Sequence, residues 1–149
     1  TTVLGFARHD AGPGLCRVDV VSRFMPDAYD LGAIAAGLVP DMTSDAALAA
    51  TRTLLARMAD AGVEHPDLNV KNILLSRSGQ RTLTAMVIDV DVIRWDSRRA
   101  PEATMRANVA RLTRSIRKWR THFGCDISES ALAAFAREAL ASTASGVLA

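Results

Sequence analysis

An α+β fold, mostly helical with short strands in hairpins, is predicted by three features of this sequence. Two apolar segments near the start flank a turn containing Gly12-Pro13-Gly14. Two long segments further on repeat their apolar residues at the helical period. Between those, two short apolar strands flank a polar turn. A chain of 149 residues is enough for one domain, burying about 70% of the surface its unfolded form would expose.

Taken in order, residues 2–8 and 15–24 read as strands joined by His9-Asp10-Ala11-Gly12-Pro13-Gly14. No helix opens after this turn, so its glycines do not form a phosphate loop. Pro26 and Asp27 break the second strand, and Tyr29–Gly37 suits a short helix ended by Gly37 and Pro40. A longer helix is predicted over Ser44–Ala61, with Leu48, Thr51, Leu55 and Met58 on one stripe. Thr43 or Ser44 offers its N-cap and Gly62 its stop. Asn72–Leu75 and Thr82–Ile88 form a hairpin, and the adjacent Val87 and Ile88 imply a second strand buried on both faces. From Glu102 to Phe123 the residues Met105, Val109, Leu112, Ile116, Trp119 and Phe123 share a helical face, with Pro101 tolerated at the start. Asp126 with Glu129 reads as a capping pair opening a last helix to about Ala141. Its stripe is Leu132, Phe135, Ala139 and Leu140, and Ser142–Ala149 are expected to fray.

Composition excludes several classes. The formal charge is only +2, so bulk charge does not announce a nucleic-acid binder. Charge is uneven: Arg94–Arg120 is rich in arginine, while Asp41–Asp67 leans acidic. Cys16 and Cys125 have no metal or redox spacing and read as reduced thiols. No long unbroken apolar run predicts a membrane span, and no secretory signal is visible, so a cytoplasmic location is the default expectation.

The chemistry is carried by His65-Pro66-Asp67-Leu68-Asn69-Val70-Lys71-Asn72 and, after the hairpin, Val87-Ile88-Asp89-Val90-Asp91. Phosphoryl transfer needs a carboxylate near the attacking hydroxyl and oxygen ligands for magnesium. Asp67 is the candidate base, and Asn72 and Asp89 are candidate ligands of Mg. Asp91 is either a further ligand or a hydrogen-bond acceptor behind one. Acids at the exit of a buried strand cost free energy unless paired or metal-bound. Asn69 stands where protein kinases acting on Ser or Thr carry a loop lysine. Lys71 either reaches a phosphate or is an exposed loop lysine. His65 is read as an anchor of the loop, and His9 and His122 as surface residues.

His65, Asp67, Leu68 and Asn72 match the catalytic-loop pattern of protein kinases, and Asp89 matches the acid of their metal-binding motif. Val90 and Asp91 replace the Phe and Gly of that motif. The resulting Ile-Asp-x-Asp ending resembles the lipopolysaccharide kinases, which act on 3-deoxy-D-manno-octulosonic acid (Kdo) or heptose. The Arg-rich run Arg106–Lys118 and the strand Val18–Pro26 resemble further segments of that family.

The resemblance implies a protein-kinase-like C-terminal lobe over residues 27–149, with 1–26 as hinge strand and remnant of the N-terminal lobe. It implies ATP as co-substrate, with Arg23, Phe24 and Met25 on the adenine side of the hinge. It also implies a sugar hydroxyl of the lipopolysaccharide inner core as acceptor. Arg106, Arg111, Arg114, Arg117 and Lys118 then form either a solvated face or a surface for an anionic glycolipid or the inner leaflet of a membrane. Trp119 belongs to the core, and Trp95 is free for an interface. Lysines occur only at 71 and 118, so the lysine, its acidic partner and the glycine loop of a kinase N-terminal lobe are expected outside this sequence. Two other readings remain open: a non-catalytic kinase-like binding module, and a small-molecule phosphotransferase of the aminoglycoside type.

Overall fold

In the computed structural model, residues 3–22, 24–78 and 82–144 are described. The chain opens with β1 (Val3–Asp10) and β2 (Cys16–Ser22), then β3 (Ala28–Asp30), a short α1 (Leu31–Ala35) and α2 (Ser44–Asp60). There follow β4 (Val63–Glu64), β5 (Ile73–Ser78), β6 (Thr82–Val87), a single 3-10 turn (Val90–Val92) and β7 (Arg94–Trp95). Two long helices, α3 (Pro101–Phe123) and α4 (Glu129–Ala144), complete it. This is an α+β fold.

Three small antiparallel sheets result: β1-β2, β3-β5-β6 and β4-β7. The first is a ribbon in which Phe6 pairs with Val20, and both remain exposed. In the second, β5 is central, with Leu75 opposite Tyr29 on one side and Ala85 on the other. The core lies between this sheet and α2, α3 and α4. Leu55, Ile73, Leu75, Met105, Leu112 and Leu132 are fully buried in it. The helical stripes follow from the period: Ala47, Leu48, Thr51, Leu55 and Met58 of α2 all face inward. Thr43 caps that helix, its side chain accepting from Ala46 N. Asp30 caps α1 by accepting from Ala33 N at 2.9 Å.

Four expectations are corrected. β6 is not buried on both faces: Ala85 is buried, whereas Val87 and Ile88 are half-buried, because β6 is an edge strand paired only with β5. Tyr29 lies in β3 rather than in a helix, since Ala28–Asp30 pairs with β5 before α1 begins. Asp126 and Glu129 do not cap α4. The helix starts at Glu129, so Ser128 holds the cap position, its hydroxyl accepting from Ala131 N at 3.1 Å. Asp126 instead accepts from the Ser44 hydroxyl, and Glu129 binds Arg117 and Arg120. Finally, the stripe of α3 leaves the core before its end: Ile116 is buried, Trp119 half-buried and Phe123 64% exposed. The helix is longer than the body it covers. Within the expected frayed tail, α4 continues to Ala144, and residues 145–149 lie outside the described residues.

The β4-β7 pair joins the approach to loop 65–72 to the segment beyond Asp89. Val63 pairs with Trp95 and Glu64 with Arg94. Asp96 N donates to Gly62 O at 3.0 Å, and the Trp95 indole N–H donates to Ala61 O at 2.9 Å. Gly62 adopts a φ of +67, and a Cβ there would meet Asp96 O at 2.1 Å. Only glycine fits that approach.

Candidate active site

The loop 65–72 is pinned from both ends. His65 is fully buried. Its backbone N–H donates to Asn108 Oδ1 at 3.0 Å, and the Asn108 amide N–H donates to Val63 O at 2.9 Å. The ring nitrogen Nε2 lies 3.2 Å from Ile88 O, an acceptor, which makes Nε2 the protonated nitrogen. Nδ1 has no hydrogen-bond partner among the described residues. Leu68 and Val70 are buried anchors, and Val70 N donates to the Ser115 hydroxyl at 3.1 Å. Arg111 braces the loop from α3, its Nε donating to Pro66 O at 2.8 Å.

Hydrogen bonds bring Asp67, Asn72 and Asp89 to one end of the β5-β6 hairpin. The Asn72 side-chain amide donates to Asp67 O at 3.0 Å. Ile88 N donates to Asn72 O at 2.9 Å, which places Asp89 one residue beyond that contact. Asn72 is buried, and its Nδ2 is fixed on Asp67 O, so Oδ1 is the end left for a ligand. Asp67 and Asp89 are exposed, and neither carboxylate has a partner among the described residues. Asp89 takes a left-handed backbone, φ 60 and ψ 52, uncommon outside glycine and tolerated by Asp and Asn. Asp91 is exposed on the 3-10 turn that follows.

These donors fit magnesium in kind. They are hard oxygen ligands: the Asp67 and Asp89 carboxylates are open to solvent, and Asn72 offers Oδ1 from a buried side chain. No cluster of three or more His, Cys, Asp or Glu side chains that could hold a metal occurs among the described residues. Magnesium does not require one, since it is commonly held by one or two carboxylates together with substrate phosphates.

The other loop residues are engaged locally. Asn69 uses both ends of its amide: Nδ2 donates to Asp67 O at 3.0 Å, and Oδ1 accepts from Lys71 N at 2.9 Å. Lys71 Nζ lies 2.8 Å from Asp30 Oδ2 and 5.2 Å from the centre of the Trp119 ring. Lys71 thus ties the loop to the cap of α1 and to α3. Between β2 and β3, Phe24 is exposed and Met25 half-buried, while Arg23 lies outside the described residues.

The basic residues of α3 divide into braces and free cations. Arg111 also pairs with the buried Glu64, Nη2 to Oε1 at 2.9 Å, and Arg99 binds the other oxygen of that carboxylate. Arg117 holds Glu129 at 2.6 Å, and Arg120 holds it at 2.8 Å. Glu129 lies well below the usual carboxylate range, at about 2, because those two guanidinium groups hydrogen-bond to it. Arg106, Arg114 and Lys118 have no partner among the described residues. A groove of about 660 Å³ separates loop residues 66–71 from the face of α3 carrying Arg114, Lys118, Trp119 and Phe123. Asp67 lines it. Trp95 is 76% exposed, away from this groove's lining.

Sequence patterns passed over Glu64, Asn108 and Asp30. Asn108 carried a signal: a polar residue at the spacing of Met105 and Leu112 on an apolar helix face. Glu64 carried none, because Arg99 and Arg111 are far away in sequence; for Asp30 the local cap on Ala33 N was readable, but its ion pair with Lys71 was not.

Comparison with known proteins gives two findings. The sequence pattern of the lipopolysaccharide kinase (Kdo/WaaP) family matches residues 2–138. Among solved structures, WaaP in complex with acyl carrier protein is similar with a TM-score of 0.55 at 18% identity, over 95% of this chain and 68% of that one. No curated protein sequence matches the chain.

Proposed function

The chain belongs to the lipopolysaccharide kinase (Kdo/WaaP) family, and from that premise we propose that it serves ATP-dependent phosphorylation of a sugar hydroxyl in the lipopolysaccharide inner core. The observation that carries this reading is the pair of hydrogen bonds from Asn72 to Asp67 O and from Ile88 N to Asn72 O. Through them the candidate base and the candidate metal ligands share one end of a hairpin.

Asp67 is exposed to the groove and its carboxylate has no ion-pair partner among the described residues, so it can orient an acceptor hydroxyl and take its proton. General-base terms of this kind contribute on the order of 10²–10⁴ in rate. Asn72 Oδ1 and the Asp89 carboxylate are the ligands for magnesium, with Asp91 next along the chain. Magnesium, when bound, neutralises charge on the β- and γ-phosphates. His65 holds the Ile88 carbonyl, and so fixes where Asp89 leaves the strand. Phe24 and Met25 fall on the adenine side in this reading.

The acceptor is an anionic glycolipid, and the protein works at the cytoplasmic face of the inner membrane. No described helix is long and apolar enough to cross a membrane. Arg106, Arg114 and Lys118 are unpaired among the described residues, and each basic residue near anionic lipid is worth about 1 kcal/mol.

The test is magnesium-dependent ATP turnover on a Kdo-lipid acceptor by the protein that carries this chain. Asp67→Ala and Asp89→Ala should each abolish it. Undiminished turnover in both variants would overturn the assignment.

A further inference from the structure

Phe123 lies where α3 runs past the core. It ends the apolar stripe of α3, yet 64% of its surface stays open. A single exposed apolar side chain is ordinary, but continuous apolar surface rimmed by polar groups marks a binding site. Phe123 stacks on Trp119 with ring centres 4.2 Å apart and planes tilted by 31°. Trp119 is held in turn: a Cβ on Gly32 would come within 2.9 Å of its ring, and Lys71 sits over it. The result is a braced aromatic platform in the wall of the groove that Asp67 lines.

Cations flank the platform. Arg114 and Lys118 stand one helical turn apart on the same wall. Arg111 and Arg117 already hold Glu64 and Glu129, so they cannot serve a ligand without giving up a partner. Arg114 and Lys118 have no such partner among the described residues. The apolar C–H face of a sugar ring packs on an aromatic face, and an acidic group on that sugar pairs with free cations.

We propose that Phe123, Arg114 and Lys118 form the seat of the acceptor, a saccharide unit bearing an acidic group, either carboxylate or phosphate. This rests on the kinase reading and adds which residues choose its substrate. Phe123 supplies the ring contact, Arg114 and Lys118 read the charge, and Asp67 faces them across the groove.

The test is direct binding to this chain, followed by Trp119 fluorescence in a Trp95→Phe background; Trp95 and Trp119 are its two tryptophans. The probes are free Kdo, a hexose 6-phosphate, a neutral methyl hexoside and inorganic phosphate. Both acidic sugars should bind more tightly than either the neutral sugar or phosphate alone; their relative affinities tell carboxylate from phosphate. Phe123→Ala should weaken the acidic sugars by about tenfold, the loss of one stacking contact, and leave phosphate unchanged. Arg114→Ala with Lys118→Ala should remove the preference for acidic over neutral sugars. All three side chains are exposed, so unchanged melting temperatures should accompany these losses. Acidic-sugar affinity that survives Phe123→Ala, or phosphate binding as tightly as the sugars, overturns the proposal. Either result leaves the kinase reading standing, since that depends on turnover in the Asp67 and Asp89 variants.

Discussion

Arg111 connects the buried carboxylate of Glu64 to loop 65–72, with Nη2 2.9 Å from Glu64 Oε1 and Nε 2.8 Å from Pro66 O. Glu64 is 4% exposed, and its carboxylate is paired with Arg111 and Arg99. Arg111→Met removes one guanidinium and also frees the carbonyl before Asp67. Charged hydrogen bonds of this kind are worth about 1.5–3 kcal/mol. A fall of that size in unfolding free energy is expected by urea titration. Arg111→Lys should recover part of the stability, but not the geometry at Pro66, because lysine lacks the planar fork. Turnover should therefore stay depressed in Arg111→Lys even where its stability approaches wild type.

Gly62→Ala tests the join between the two halves of the site. The left-handed backbone alone costs a residue with a Cβ about 1–2 kcal/mol. Here the new carbon would also meet Asp96 O at 2.1 Å, and that oxygen is backbone. The β4-β7 pair must separate to admit it. The expected loss is at least about 2 kcal/mol, measured by denaturant titration, with faster hydrogen exchange at Asp96 N. A stability equal to wild type would show that the two strands do not approach as described.

Much of this architecture is legible in the sequence, and what is not has physical causes. The period of Leu48, Thr51, Leu55 and Met58 places α2, because a stripe needs only local spacing. The Asp67, Asn72 and Asp89 spacing likewise points to one hairpin end, since both strands are short and adjacent. Periodicity gives direction around a helix, but not what lies opposite. Met105 through Ile116 meet a core, whereas Phe123, on the same line, meets a groove. The same limit hides the division of the arginines. Arg111 and Arg114 are equally basic in sequence, and only the fold brings Glu64 to one of them. The β4-β7 pair has no pattern to read, because two residues a side cannot show alternation.

Asp89→Asn separates the charge at that position from its backbone. Asparagine tolerates the left-handed region about as well as aspartate does, so the fold and melting temperature should stay near wild type. The charge of the proposed ligand is lost, and turnover should fall by at least about 10²-fold, with a raised magnesium requirement. Asp89→Val loses the same charge and adds about 1–2 kcal/mol of backbone strain, so it should also melt lower. Full turnover in a well-folded Asp89→Asn would remove this residue from the metal site.

The α3–α4 link supplies a pH dependence whose sign is fixed. Arg117 and Arg120 hold the Glu129 carboxyl at about 2, below its ordinary 4.5, and Glu129 pushes the Arg117 guanidinium further up. A carboxyl with a lowered folded-state value binds fewer protons folded than unfolded, so it stabilises the fold above its ordinary value. That contribution fades as pH drops from 4.5 and is gone below about 2. Glu129→Gln keeps the shape and removes the charge. Its melting temperature should lie below that of wild type at neutral pH, and the two should converge as pH falls through this window. The gap should also shrink in high salt, because the three side chains are in contact with solvent. A gap that persists at pH 2 would mean that Glu129 acts through packing, not through its pair of arginines.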